Sequence, residues 1–186
     1  ALAHDYTVNV LGCIPAPLGY GGIVGQRPPF PKSICTSVNN VICHGIPGAK
    51  VLKKGDIINI DVTVIKEGYH GDTSRMFYVG GEAAAGVMAK RLVKTTFDAM
   101  WAGINVVKPG ASLYEVAAAI EAVAKAQRFT VVKEYCGHGI GKVFHEEPTV
   151  LHYVPKGHET GHFPNVILEE GMCFTIEPMI NAGRAD

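Results

Sequence analysis

Residues 57–79 read IINIDVTVIKEGYHGDTSRMFYV. In the first part Ile58, Ile60, Val62 and Val64 alternate with Asn59, Asp61 and Thr63, the two-residue period of a half-buried strand. A second β-rich run follows from Tyr69, so the stretch predicts a hairpin. A four-residue turn at 65–68 would set Val64 opposite Tyr69 and Asp61 opposite Asp72. Side chains so placed have Cβ atoms about 5 Å apart, and two carboxylates there repel unless a cation lies between them. A divalent metal would remove the conflict; two solvated acids on an open hairpin face are the plain alternative.

The rest of the composition narrows the class. At 186 residues the chain is long enough to bury a real core. Lys plus Arg and Asp plus Glu are balanced at 17 each, so no net field favours nucleic acid or an anionic membrane. No apolar run approaches the roughly 18 residues of a membrane span. Cys13, Cys35, Cys43, Cys136 and Cys173 are odd in number and lack C-x-x-C spacing, against both a disulfide framework and a zinc knuckle. A reducing compartment, the cytoplasm, fits. The chain opens on ALAHDY without an initiator Met, so organellar targeting stays an open question.

Outward from the hairpin, α and β patterns alternate. Residues 1–12 fit a helix tail or a short strand equally. Residues 13–33 are rich in Pro and Gly and read as loop. A helix is expected over about 83–105, with Val93, Phe97, Met100, Trp101 and Ile104 as its core stripe. Lys108-Pro109-Gly110 ends it. Ser112 and Glu115 form a capping box for a second helix, whose Val116, Ile120 and Val123 lead to about Gln127. Strands are expected at 129–136 (FTVVKEYC) and 172–180 (MCFTIEPMI).

The last of these repeats the hairpin's chemistry. Glu177 is a carboxylate within an apolar strand, and Pro178, which cannot donate to a ladder, points to a bulge or edge that re-aims it. Between the two strands lies CGHGIGKVFHEEP (136–148), with His138 between glycines and His145 seven residues on. Such glycines signal close approach of another backbone or a ligand. Asp61, Asp72, His138 and Glu177 together make an oxygen-rich set with one imidazole, suited to Mn²⁺, Fe²⁺, Co²⁺ or Zn²⁺, and carboxylates that can bridge suggest two ions. His158 and His162, four apart in VPKGHETGHFPN (154–165), read as solvated loop residues.

Four motifs carry a resemblance: VICHGIP, NIDVTVIKEGYHGDTSRMF, EYCGHGIGKVFHEEP and FTIEPMINAG. In this order they resemble the type I branch of the methionine aminopeptidases, metallopeptidases of family M24, from about Tyr20 to the end of the chain. The resemblance implies an α+β pita-bread fold of two pseudo-symmetric αβ halves, with residues 1–186 a single catalytic domain truncated at both ends. It implies a hydrolase that removes the initiator Met from nascent polypeptides, including at the ribosome, as a monomer with no nucleic-acid or membrane partner. Asp61 would chelate one metal, Asp72 bridge two, and His138 and Glu177 ligate the second; a fifth ligand, a bridging Glu, would lie beyond Asp186. His44 and His145 would act without binding metal, and Glu177 would also take a proton. Tyr20, Phe30, Cys35, Phe144 and His44 would contact the substrate, although GGIVGQRPP (21–29) is longer than the family's usual link between its two aromatic positions. Other readings are a pita-bread hydrolase acting at proline and a metal-free module binding peptides or partners.

Overall fold

The structure, a computed structural model, describes residues 2–184. It divides into two compact units, residues 2–86 with 141–144 and residues 87–140 with 145–184.

In the first unit a helical turn, α1 (Leu2–Asp5), continues as a π-turn, Tyr6–Val10, so helix prevails over strand in this segment. Short strands β1 (Ile14–Pro15) and β2 (Cys35–Val38) lie antiparallel to β3 (Ile57–Lys66). They meet it in series, β2 at Ile58–Asp61 and β1 at Val64–Ile65, while β4 (Tyr69–Tyr78) pairs with β3 throughout. The hairpin is therefore present, but its register differs from expectation. The loop is two residues, Glu67 and Gly68, both with positive φ (52° and 82°), as a type I′ turn requires. That turn matches the right-handed strand twist. Lys66 consequently pairs with Tyr69, Thr63 with Asp72 and Asp61 with Ser74. Asp61 and Asp72 are diagonal neighbours rather than opposites. A shift of two residues keeps both on the same face. Ile58 is buried and Ile60, Val62 and Val64 are half-buried, whereas Thr63 on the polar face is only 2% exposed.

A 3-10 turn at Glu82–Ala84 belongs to the first unit, and the second opens with α2 (Val87–Ile104). The face it buries corrects the expected stripe. Thr95, Ala99 and Gly103 are buried, while Phe97 and Trp101 are exposed and meet edge-on, 6.3 Å between centroids. Close approach of α3 (Leu113–Ala126) explains it: a Cβ on Gly103 would lie 2.8 Å from Ile120 Cδ1. Small residues win that contact. The Ser112–Glu115 capping box forms as read, with both reciprocal hydrogen bonds. Val116, Ile120 and Ala124 of α3 join Phe129, Val131, Val150, Leu151, Leu168 and Ile180 in one core.

The two long strands expected here are much shorter. What remains of them is β5 (Thr130–Val131) paired with β8 (Ile180–Asn181). The chain leading into β8 borrows partners piecemeal: the Thr175 N–H donates to His138 O, Ile140 N–H to Cys173 O, and Val132 N–H to Met179 O. A strand absent from the sequence reading, β6 (Gly137–Gly139), pairs with β7 (Glu146–Val150) across a bulge between His138 and Gly139. Segment 154–165 carries the helical turn α4 (Glu159–His162) and is tied to the start of α3, the Tyr114 hydroxyl donating to Phe163 O at 2.6 Å. His158 and His162 are exposed, as expected of solvated residues. Among the described residues, no helix is long and apolar enough to cross a membrane.

Candidate functional site

In the first unit the polar face of the hairpin carries Asp61 and Asp72. Thr63 Oγ1 donates to Asp72 Oδ1 at 2.9 Å, which fixes that carboxylate from the opposite strand. Asp61 pairs in register with Cys35 of β2. Burial pushes the Cys35 thiol up to about 12, and the charges of Asp61, Cys43 and Asp72 add to the effect. Cys35 is therefore a neutral, apolar thiol, a wall rather than a nucleophile.

His44 occupies the loop after β2 with φ at 53°, a left-handed conformation uncommon outside glycine. The neighbouring Gly45 shows what imposes it. Thr36 N–H donates to Gly45 O, Gly45 N–H donates to Ser37 Oγ, and a Cβ on Gly45 would fall 2.1 Å from Thr36 O. Burial holds the His44 pKa below the ordinary histidine value, with Asp72 pulling the other way. Its neutral imidazole can donate one hydrogen bond and accept another.

The aromatic candidates also gather in this unit. Tyr20 meets Phe144 edge-on at 4.9 Å between centroids, and His70 stacks on Phe144 at 5.4 Å with 15° between the rings. His70 is fixed in turn by Gly141 O, which accepts from both the His70 backbone N–H and Nδ1. The long link 21–29 loops out and closes on itself through an Ile23–Arg27 bridge, while Phe30 N–H donates to Tyr20 O and Gly19 N–H to Phe30 O. Tyr20 and Phe30 therefore stay adjacent despite the added length.

In the second unit the glycines around His138 act as expected. A Cβ on Gly137 would lie 2.3 Å from Thr175 O, and one on Gly139 2.1 Å from Glu147 O. Two backbones press on the strand, and His138 is nearly buried between them. Its Nδ1 lies 2.9 Å from Gly139 O and must donate the proton there, since a carbonyl only accepts. In the neutral ring Nε2 then carries a lone pair, and it faces Glu177 Oε1 at 3.4 Å. This is the backbone-fixed tautomer typical of a metal-ligating histidine. His145 lies beside it, ring centroids 4.3 Å apart.

Two residues of this unit were missed by the sequence reading. Thr175 Oγ1 donates to Glu177 Oε1 at 2.6 Å and accepts from the His138 N–H, joining the two candidates. A threonine two residues before a strand carboxylate was the available signal. His152 is fully buried and its Nε2 accepts the Glu177 backbone N–H at 3.2 Å. A histidine inside the apolar run Val150–Val154 was the hint.

Residues 13–185 match the description Metallopeptidase family M24. The methionine aminopeptidase of Rickettsia prowazekii is 52% identical over all of this chain and 65% of its own length. The chain thus spans somewhat under two thirds of that relative. The crystal structure of methionine aminopeptidase from the same organism superposes with a TM-score of 0.87 at 51% identity, covering 100% of this chain and 68% of that one. A prolidase from Pyrococcus furiosus shares the fold more distantly, with a TM-score of 0.62 at 23% identity over 78% of this chain and 40% of its own. The α+β pita-bread architecture is common to these neighbours. With the matched region running nearly end to end, the chain belongs to metallopeptidase family M24.

Proposed function

We propose that this chain carries the catalytic residues of a methionine aminopeptidase, a metal-dependent hydrolase removing the initiator Met from nascent polypeptides in the cytoplasm, including at the ribosome. The observation that carries the reading is His138 Nε2 facing Glu177 Oε1 at 3.4 Å with its proton committed to Gly139 O on the other side of the ring. A cation joins two such groups, either the imidazole's own second proton or a metal ion, and an imidazole beside a carboxylate is a donor set that fits a metal. Support also comes from the family, a metallopeptidase one, and from the names of the relatives.

In this reading residues 1–186 belong to one catalytic domain, monomeric in solution. Asp61, Asp72, His138 and Glu177 would hold two divalent ions, Mn²⁺, Fe²⁺, Co²⁺ or Zn²⁺ by ligand type. The chemistry such ions would supply when bound is Lewis acidity, which lowers the pKa of water towards neutrality. Glu177, held in orientation by Thr175, would accept a proton from the attacking water. His145 donates to the substrate carbonyl oxygen as charge develops there. His44 contacts the scissile amide through a ring nitrogen and so assists departure of the amine. Tyr20, Phe30, Cys35 and Phe144 line the Met pocket; the un-ionised Cys35 thiol and the Tyr20–Phe144 ring pair offer the soft, preformed wall a thioether needs.

The test uses the full-length protein. Exhaustive chelation should abolish cleavage of Met-Ala-Ser, and Mn²⁺ or Co²⁺ should restore it. Activity surviving chelation would overturn the metal mechanism. A peptide panel in which Xaa-Pro substrates outpaced Met-Ala-Ser would favour the proline-directed reading, and no hydrolysis in any condition would favour the binding module.

A further inference from the structure

His152 lies in a run of buried residues, Val150, Leu151, His152 and Tyr153, and is itself 0% exposed. Its Nε2 accepts the backbone N–H of Glu177 at 3.2 Å. A neutral imidazole that accepts at Nε2 must carry its proton on Nδ1. Among the described residues that Nδ1 is the one buried side-chain nitrogen or oxygen without a hydrogen-bond partner. An orphaned buried donor loses its hydration with nothing in return. An apolar side chain would fill the space without that cost, so the imidazole calls for a reason. The reason lies at its other nitrogen.

Glu177 precedes Pro178, where the chain between the His138 contact and β8 leaves the ladder. Its N–H therefore has no strand carbonyl to meet, and His152 Nε2 fills that place. The Glu177 side chain is fixed separately by Thr175 Oγ1. Backbone and carboxylate are thus held by two different elements, one reaching from the core and one from the same strand. Such double anchorage sets the direction of a carboxylate more tightly than either bond alone.

We propose that His152 is a positioning residue for Glu177: it serves as a buried acceptor that pins the Glu177 backbone where Pro178 breaks the ladder, and so aims the carboxylate. This rests on Glu177 being a metal ligand, as argued under the proposed function. His152 touches neither metal nor substrate and acts only through Glu177.

Three measurements on the full-length, chelated protein test it. Long-range ¹H–¹⁵N NMR of the histidine rings should show His152 as the Nδ1–H tautomer; an Nε2–H tautomer would overturn the hydrogen bond and the proposal. Calorimetric titration with Mn²⁺ should show affinity lowered about 10–100-fold in His152→Leu, the usual cost of losing support behind a ligand. His152→Gln, whose side-chain carbonyl can take the place of Nε2, should recover most of that loss. A merely space-filling role predicts the reverse ranking, with Leu tolerated best, and that result would overturn the proposal. Should the Leu variant not fold, the tautomer and the Gln variant decide: Gln binding as poorly as Glu177→Gln would be contradictory. If Glu177→Gln itself bound Mn²⁺ like the unsubstituted protein, the ligand reading would be what failed, and the proposal would fall with it.

Discussion

The two carboxylate-bearing regions reach similar ends by different means. In the hairpin, Asp72 is held by Thr63 from the neighbouring strand, within a ladder whose ten registered pairs come from adjacent sequence. Around Glu177 the support is assembled from afar: the carboxylate takes a hydroxyl from Thr175, the backbone an imidazole from His152, and the chain on either side leans on residues 137–140 and 130–132. A ladder of local pairs needs only alternation and a tight turn. A patchwork needs glycines where backbones collide and a polar group buried at the break. The first kind of region is robust and the second sensitive.

The sharpest way to break this comparison is to ask which histidine of the second unit reacts and which one holds. His145→Ala should lower kcat by roughly 10²–10³-fold with metal content unchanged, because its contact strengthens only in the transition state. His138→Ala should lose metal instead. Metal analysis beside steady-state kinetics reads both, and the opposite pattern would reverse the two roles.

Backbone crowding gives the next largest contrast. Gly139→Ala places a Cβ 2.1 Å from Glu147 O and should cost about 2–3 kcal/mol in urea unfolding. Gly71→Ala on the hairpin, where nothing lies within 4 Å, should stay within about 0.5 kcal/mol. Equal costs would mean the second unit gives way as easily as the first.

Acid sensitivity should also concentrate in the second unit. Burial lowers the His152 pKa from 6.5 to about 3. A histidine depressed on folding contributes stability that is present above pH 6.5 and is lost as the pH falls toward 3, since the unfolded chain takes up the proton first. The slope is about 1.4 kcal/mol per pH unit at most. In chelated protein, melting temperatures between pH 6.5 and 5 should fall less steeply for His152→Leu than for the unsubstituted chain. Parallel curves would contradict the burial argument.

The smallest effect concerns the paired threonines. Thr63→Val and Thr175→Val should each weaken metal binding by about 10-fold, since each removes the hydroxyl orienting one carboxylate. An unaffected Thr175 variant would show that His152 alone suffices.

What could be read from the sequence follows the same division. The hairpin and the α3 capping box were legible because their determinants sit within a few residues of one another. The hairpin register was missed by two residues because Glu67 is not a usual left-handed residue, and the turn depends on it. The buried face of α2 was misread because Ala99 and Gly103 owe their burial to Ile120 and its neighbours on another helix, not to their own hydrophobicity. The strands near Glu177 came out too long because their partners are dispersed and Pro178 interrupts them. His138 was recognisable by its glycines, whereas His152, lying in an apolar run, gave no sign of its link to Glu177.

The central claim is that both regions supply metal ligands. Calorimetric titration of Mn²⁺ into chelated full-length protein, compared with Asp72→Asn and Glu177→Gln, tests it most directly. The account predicts that each variant loses at least one tightly bound ion while its far-ultraviolet circular dichroism stays that of the unsubstituted protein. Folded variants that both retain the full complement of ions at unchanged affinity would contradict it.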